Sequence, residues 1–147
     1  MIYYKENDEW VDIDNTLEYN YNSNKYQNKC NSFKVQFDKQ FNSEELFTIE
    51  NKGYTMSWRY NGDSLYTAFS NGQIDKSANI NGGFDKFTHK TNGKIKYNKI
   101  ESECSLEYIV TGTGVKENII LESYTGKNSF SFEQRCVAPF CWSSVDL

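Results

Sequence analysis

The stretch Cys104-Ser-Leu-Glu-Tyr-Ile-Val-Thr-Gly-Thr-Gly-Val-Lys-Glu-Asn-Ile-Ile-Leu-Glu-Ser123 sets two short apolar runs on either side of a glycine pair and a charged, polar step. Leu106, Tyr108 and Val110 alternate onto one side, and Gly112 and Gly114 offer the permissive backbone that a reversal needs, so the segment reads as strand, tight connection, strand. No residue in it is an obvious catalyst. The clearest local signal in the chain is therefore of β-structure.

The same signal recurs along the chain. Phe33 to Phe37 alternates strictly, and Tyr54 to Tyr60 alternates aromatic or apolar residues with polar ones over its whole length. Shorter runs stand at Leu46 to Ile49, Leu65 to Phe69, Ile95 to Tyr97, Ile119 to Leu121 and Phe130 to Phe132. Between them lie Asn61-Gly62, Asn71-Gly72, Asn81-Gly82-Gly83 and Asn92-Gly93, and Asn-Gly is the preferred pair of a two-residue hairpin because both positions tolerate positive φ. Helical signal is confined to Ser43-Glu-Glu-Leu-Phe47, where Ser43 is a candidate cap for a turn or two.

Half-buried alternating strands cannot cover both faces in one sheet. The expected fold is an all-β, antiparallel two-layer sandwich, jelly-roll-like, with Asn-Gly hairpin turns. Phe33, Val35, Phe37, Met56, Trp58, Leu106, Tyr108, Val110, Ile119 and Leu121 are the expected core. Two parts are expected: a sandwich over 1–133, and an irregular cysteine-bearing tail over 134–147, which lacks the Asn, Lys and Tyr so frequent before it. That tail carries Val137, Phe140 and Trp142, and is expected to dock back on the domain or to make a homo-oligomeric contact.

Composition bounds the function classes. The 147 residues make one domain, and although only 37% are hydrophobic, 16% are aromatic, so large rings supply the core area. The net charge of −4, with Lys and Arg scattered among acids, argues against nucleic acid as a partner. No run approaches the ~20 apolar residues of a membrane-spanning helix, and the N-terminus lacks the pattern of a signal peptide, which implies a cytoplasmic chain if it is expressed alone. Cys136 and Cys141 flank Pro139 and are candidates for a local disulfide in an oxidising compartment, whereas Cys30 and Cys104 read either as buried thiols or as a long-range pair.

Catalytic patterns are sparse. His89, the one histidine, precedes an Asn-Gly pair and reads as a solvated loop or edge position; Gly-x-Ser-x-Gly, phosphate-loop and His-Glu-x-x-His patterns are missing, and no cofactor is implied. Asp12 and Asp14 alternate in Trp10-Val-Asp-Ile-Asp-Asn15, so on a strand both carboxylates share a side next to Asn15. They read as oxygen ligands for a metal such as calcium, as paired acids for glycan chemistry, or as the wet face of an edge strand entering an Asx turn. Trp10, Trp58, Tyr60 and Tyr66 are the candidate sugar-stacking platform, although Tyr54, Met56, Trp58 and Tyr60 share one parity and also read as a core stripe.

Trp10-Val-Asp-Ile-Asp-Asn-Thr-Leu17, Asn31-Ser-Phe-Lys-Val-Gln-Phe37, Tyr54-Thr-Met-Ser-Trp58, Leu106-Glu-Tyr-Ile-Val110 and Gly114-Val-Lys-Glu-Asn-Ile-Ile-Leu121, in that order, resemble the N-terminal β-rich region of clostridial wall-associated RHS/YD-repeat polymorphic toxin proteins. The resemblance covers roughly residues 8 to 133. It implies a structural or interaction module of a secreted parent, without enzymatic activity of its own, whose partners are other segments of that parent toxin or a separate protein. A cell-surface glycan-binding module and a carboxylate-based glycan-active enzyme are the alternatives from the residues themselves.

Overall fold

A computed structural model describes residues 3–62, 70–75, 92–101, 103–124, 126 and 129–137. The chain forms β1 (Tyr3–Glu6), β2 (Glu9–Asp12), β3 (Asp14–Asn20), β4 (Lys25–Cys30), β5 (Lys34–Asp38), β6 (Phe47–Asn51), β7 (Tyr54–Tyr60), β8 (Gly72–Ile74), β9 (Gly93–Glu101), β10 (Cys104–Val110), β11 (Val115–Leu121) and β12 (Phe132–Val137). Every pairing is antiparallel. One sheet has the order β12-β7-β6-β5-β4-β3, a second β11-β10-β9-β8, and β1-β2 is a separate hairpin. The expected all-β sandwich is present. Among the described residues its strand order is that of two meanders in series, with β12 returning to pair with β7, rather than the interleaving of a jelly roll.

The opening segment folds as its sequence reads. β10 and β11 pair from Cys104↔Leu121 to Val110↔Val115 around the four-residue loop 111–114. The loop is closed by Thr111, whose N–H donates to the Gly114 carbonyl at 2.7 Å and whose Oγ1 accepts from the Gly114 N–H at 3.1 Å. Gly114 is not in the left-handed region, and a Cβ there would meet nothing within 4 Å. Threonine, rather than glycine freedom at Gly114, organises this reversal.

Among the described residues none of the Asn-Gly pairs forms a two-residue hairpin turn. Two-residue reversals stand at Asn7-Asp8, with φ of 49° and 65°, and at Lys52-Gly53, with 52° and 82°, as the positive dihedrals of such turns require; β9 and β10 are also joined by a two-residue step, between the paired Glu101 and Cys104. Asn71 bridges to Gln40 and Gly72 opens β8, while Gly93 opens β9 where a Cβ would stand 2.0 Å from the backbone oxygen of Asn15. Asn61-Gly62 leads out of β7, Asn61 donating its N–H to Ser131, and Asn81-Gly82-Gly83 lies outside the described residues. Where a helical turn was expected, Asn42 and not Ser43 caps: its Oδ1 accepts the Glu44 N–H at 3.1 Å, a single turn follows, and the chain enters β6.

The core lies where the two sheets face each other. Phe37 and Phe47 from the larger sheet meet Tyr108 of the smaller one at ring-centroid distances of 5.6 and 4.9 Å, and Phe41 meets Tyr97 edge-on at 5.7 Å. Val35, Ile95, Ile100, Leu106 and Val110 fill the rest, all fully buried. Met56 and Trp58 are only half-buried, with Trp58 stacked on Phe47 at 4.4 Å. Ile119 and Leu121, expected in the core, are 37% and 44% exposed, because they lie toward the end of the edge strand β11, whose other end packs on the core through Val115. β12 runs through the boundary expected at 133/134, so 134–137 belong to the sheet; 138–147 lie outside the described residues.

Candidate functional site: two aromatic surfaces

The first surface is the β1-β2 hairpin. Direct cross-strand pairing of Tyr3 with Asp12 and of Lys5 with Trp10 puts these four side chains on one face, and Tyr4 and Val11 on the other. Tyr4 is buried and its hydroxyl meets the Cys30 thiol at 3.1 Å, which fastens the hairpin to β4. The opposite face is left to solvent: Trp10 is 72% and Tyr3 44% exposed, with the Lys5 ammonium 5.9 Å from the Trp10 ring centroid. An exposed indole beside a second ring, an ammonium and a carboxylate is a binding surface in chemical character.

The second surface is a cleft of about 520 Å³ between the β3-β4 loop and the β5-β6 connection, lined by Tyr19, Asn24, Asp38, Lys39, Asn42 and Ser43 among others. Tyr19 is held edge-on by Tyr21 at 5.0 Å and Tyr26 at 5.3 Å, and its hydroxyl donates to Asn24 at 3.3 Å. Behind the cleft, Lys25 pairs with Glu45 at 2.8 Å and Asp38 at 3.5 Å. Partial burial draws the Lys25 ammonium down, and the two carboxylates more than offset it, holding its pKa above the usual lysine value. The Asp38 carboxylate also accepts from the Asn42 amide at 3.1 Å.

Of the expected platform residues that are described, only Trp10 is presented to solvent. Trp58 packs on Phe47, and Tyr60 is buried with its hydroxyl donated to Glu101 across the sheets. Tyr66 lies outside the described residues, as does His89.

Asp12, Asp14 and Asn15 do not converge. Asp12 is exposed at the end of β2, Asp14 accepts the Thr16 N–H at 3.0 Å as an Asx turn, and Asn15 is fully buried. Asn15 Oδ1 takes the amides of Asn28 and Asn31, both at 3.1 Å, and its Nδ2 donates to Thr111 at 2.9 Å, so its oxygen is committed to protein partners. Among the described residues no group of three or more His, Cys, Asp and Glu is placed to hold a metal. Among the described residues Cys30 and Cys136 form no disulfide, and Cys141, the expected partner of Cys136, lies outside the described residues. Among the described residues no helix is long and apolar enough to cross a membrane.

Sequence reading missed Tyr3, Tyr19, Tyr21 and Tyr26. A legible signal was the run Tyr19-Asn-Tyr-Asn-Ser-Asn24, in which rings interleave with turn-forming amides. Comparison with family models, with curated proteins and with solved structures gives no match for this chain.

Proposed function

We propose that this domain is a non-enzymatic interaction module whose contact surface is the outer face of the β1-β2 hairpin. The observation that carries the proposal is Trp10, 72% exposed on a hairpin that Tyr4 fastens to the larger sheet. Solvent-facing tryptophan and tyrosine on a fixed backbone are the residues that dominate protein contacts, because they bury much area at little cost in side-chain entropy. The resemblance to RHS/YD-repeat toxin proteins suggests as partner another segment of a secreted parent chain or a separate protein at the cell surface.

A second reading, glycan recognition on the same face, is favoured by the placing of Asp12 and Tyr3 beside the indole, since a saccharide needs a flat apolar ring next to hydrogen-bonding groups. Immobilised domain and its Trp10→Ala variant, matched in melting temperature, are exposed to an extract of the source cells and to a glycan array. The proposal expects a protein retained by the parent domain and lost by at least about tenfold in the variant. Retention of a glycan alone moves the assignment to the second reading. Identical profiles for both forms would overturn the two together.

A further inference from the structure

We infer that the cleft around Tyr19 is a binding site for a neutral saccharide, separate from the hairpin surface. Its volume of about 520 Å³ falls within the roughly 300–1,000 Å³ of small-molecule clefts, and its lining is mostly polar, with Tyr19 and the buried Phe41 as its two rings. The composition of the wall selects the ligand. Asn24, Asn42 and Ser43 each offer both donor and acceptor atoms, and hydroxyl-rich ligands need both at once. Asp38 keeps acceptor capacity, since a carboxylate has about four lone-pair sites and among the described residues the Lys25 and Asn42 side chains engage it.

The charge around the cleft is balanced, Lys25 and Lys39 against Asp38 and Glu45, and Lys25 is already held by both acids. Such a site has no field to concentrate a phosphate or a cation, so a neutral ligand fits it better than a nucleotide or an ammonium compound.

The ring is prepared for stacking. Tyr21 and Tyr26 pack against Tyr19 in T-shaped contacts, the hydroxyl donates to Asn24, and the exposed Lys39 ammonium stands 5.7 Å over the ring centroid on a flexible stem that a ligand displaces. The opposite wall is equally set. Phe41 is buried against Tyr97 and Tyr60 and donates its N–H to Ser70 at 2.6 Å, which pins the connection carrying Lys39, Asn42 and Ser43. Polar groups held in place before binding cost a ligand less ordering, so this arrangement favours binding.

The test is a titration of the 15N-labelled domain with cellotetraose, chitotetraose and maltotetraose, and with inorganic phosphate as the anionic probe. The Asn24 and Asn42 side-chain amides report directly from the cleft, and the Trp10 indole N–H reports from the hairpin. At least one tetrasaccharide is expected to move the Tyr19, Asn24 and Asn42 signals saturably while leaving Trp10 in place. Tyr19→Ala should weaken that binding by at least about tenfold, and Lys39→Ala should preserve or tighten it. If Tyr19→Ala does not fold, Asn42→Ala, at an exposed position, serves as the second variant and should weaken binding severalfold. Signals that stay fixed up to about 10 mM of every tetrasaccharide overturn the assignment, as do the same shifts with phosphate, shifts confined to Trp10, or unchanged affinity in the variant that folds.

Discussion

β10 and β11 are hydrogen-bonded neighbours with their facing residues in register, yet paired residues of the two strands differ sharply in burial. Leu106 is fully buried while its cross-strand partner Ile119 is 37% exposed; Cys104 is 2% exposed and its partner Leu121 44%. Directly paired residues share a face, so the difference is not one of orientation. It is one of position in the sheet. β10 lies between β9 and β11 beneath Phe37 and Phe47, whereas β11 is the edge. Alternation in a sequence assigns a side chain to a face; the depth of cover over that face comes from the partner sheet.

The sharpest way to break this comparison is to truncate both members of one pair. Leu106→Ala removes a fully buried side chain from under a fixed ring cluster and is expected to cost about 2–5 kcal/mol. Ile119→Ala, on the same face one strand away, should cost less than about 1 kcal/mol. Urea midpoints at a common slope measure both. Equal losses would mean that β11 is covered as deeply as β10, and the account of the edge would fail.

A second pair contrasts polar residues near the start of the chain. Asp12 and Asn15 are three positions apart, one exposed and the other enclosed. Asn15→Ala leaves the Asn28 and Asn31 amides and the Thr111 carbonyl without the contacts that join β3 and β4 to the β10-β11 loop, at an expected cost of about 1–3 kcal/mol. Asp12→Ala should fall within about 0.5 kcal/mol of the parent. If instead both variants lose stability only when calcium is present, the three residues act as a metal site and the buried network is not their role.

These contrasts show what the chain discloses by itself. The strands of Phe33 to Phe37, Tyr54 to Tyr60 and Leu106 to Val110 are legible because period-two alternation is local. Leu46 and Phe47 open a strand-like run in the sequence, but the burial of Phe47 depends on Trp58 and Tyr108, which reach it only through pairing and sheet stacking. The glycines show the same limit. Gly93 looks like half of a turn, and its actual constraint is the Asn15 backbone, 78 residues earlier in the chain and touching only after the sheets meet. Conversely Lys52-Gly53 closes a hairpin without the asparagine that marks such turns most strongly. Of the candidate surfaces, Trp10 was legible as an aromatic beside acids. The Tyr19 cleft was not, since Asp38 and Asn42 approach Tyr19 across β4 and β5 rather than along the chain.

The smallest expected effect concerns the middle of β11. Glu117 is paired with Tyr108 and is half-buried, so the edge strand is more covered here than at Ile119 or Leu121. Burial pushes the Glu117 carboxyl above its ordinary value of 4.5, and the facing Tyr108 hydroxyl offsets part of that rise. The folded chain therefore binds this proton more tightly than the unfolded chain does. Its contribution is fully present below the ordinary value and is lost as pH climbs from 4.5 through the raised folded value. Glu117→Gln keeps the shape and removes the titration. Melting temperatures of the two forms should lie parallel at the acid end, and the parent should fall progressively behind the variant as the pH rises through that window, with a constant gap beyond it. A gap that does not change with pH would show that the carboxyl is hydrated as in the unfolded chain, and that β11 is open along its whole length.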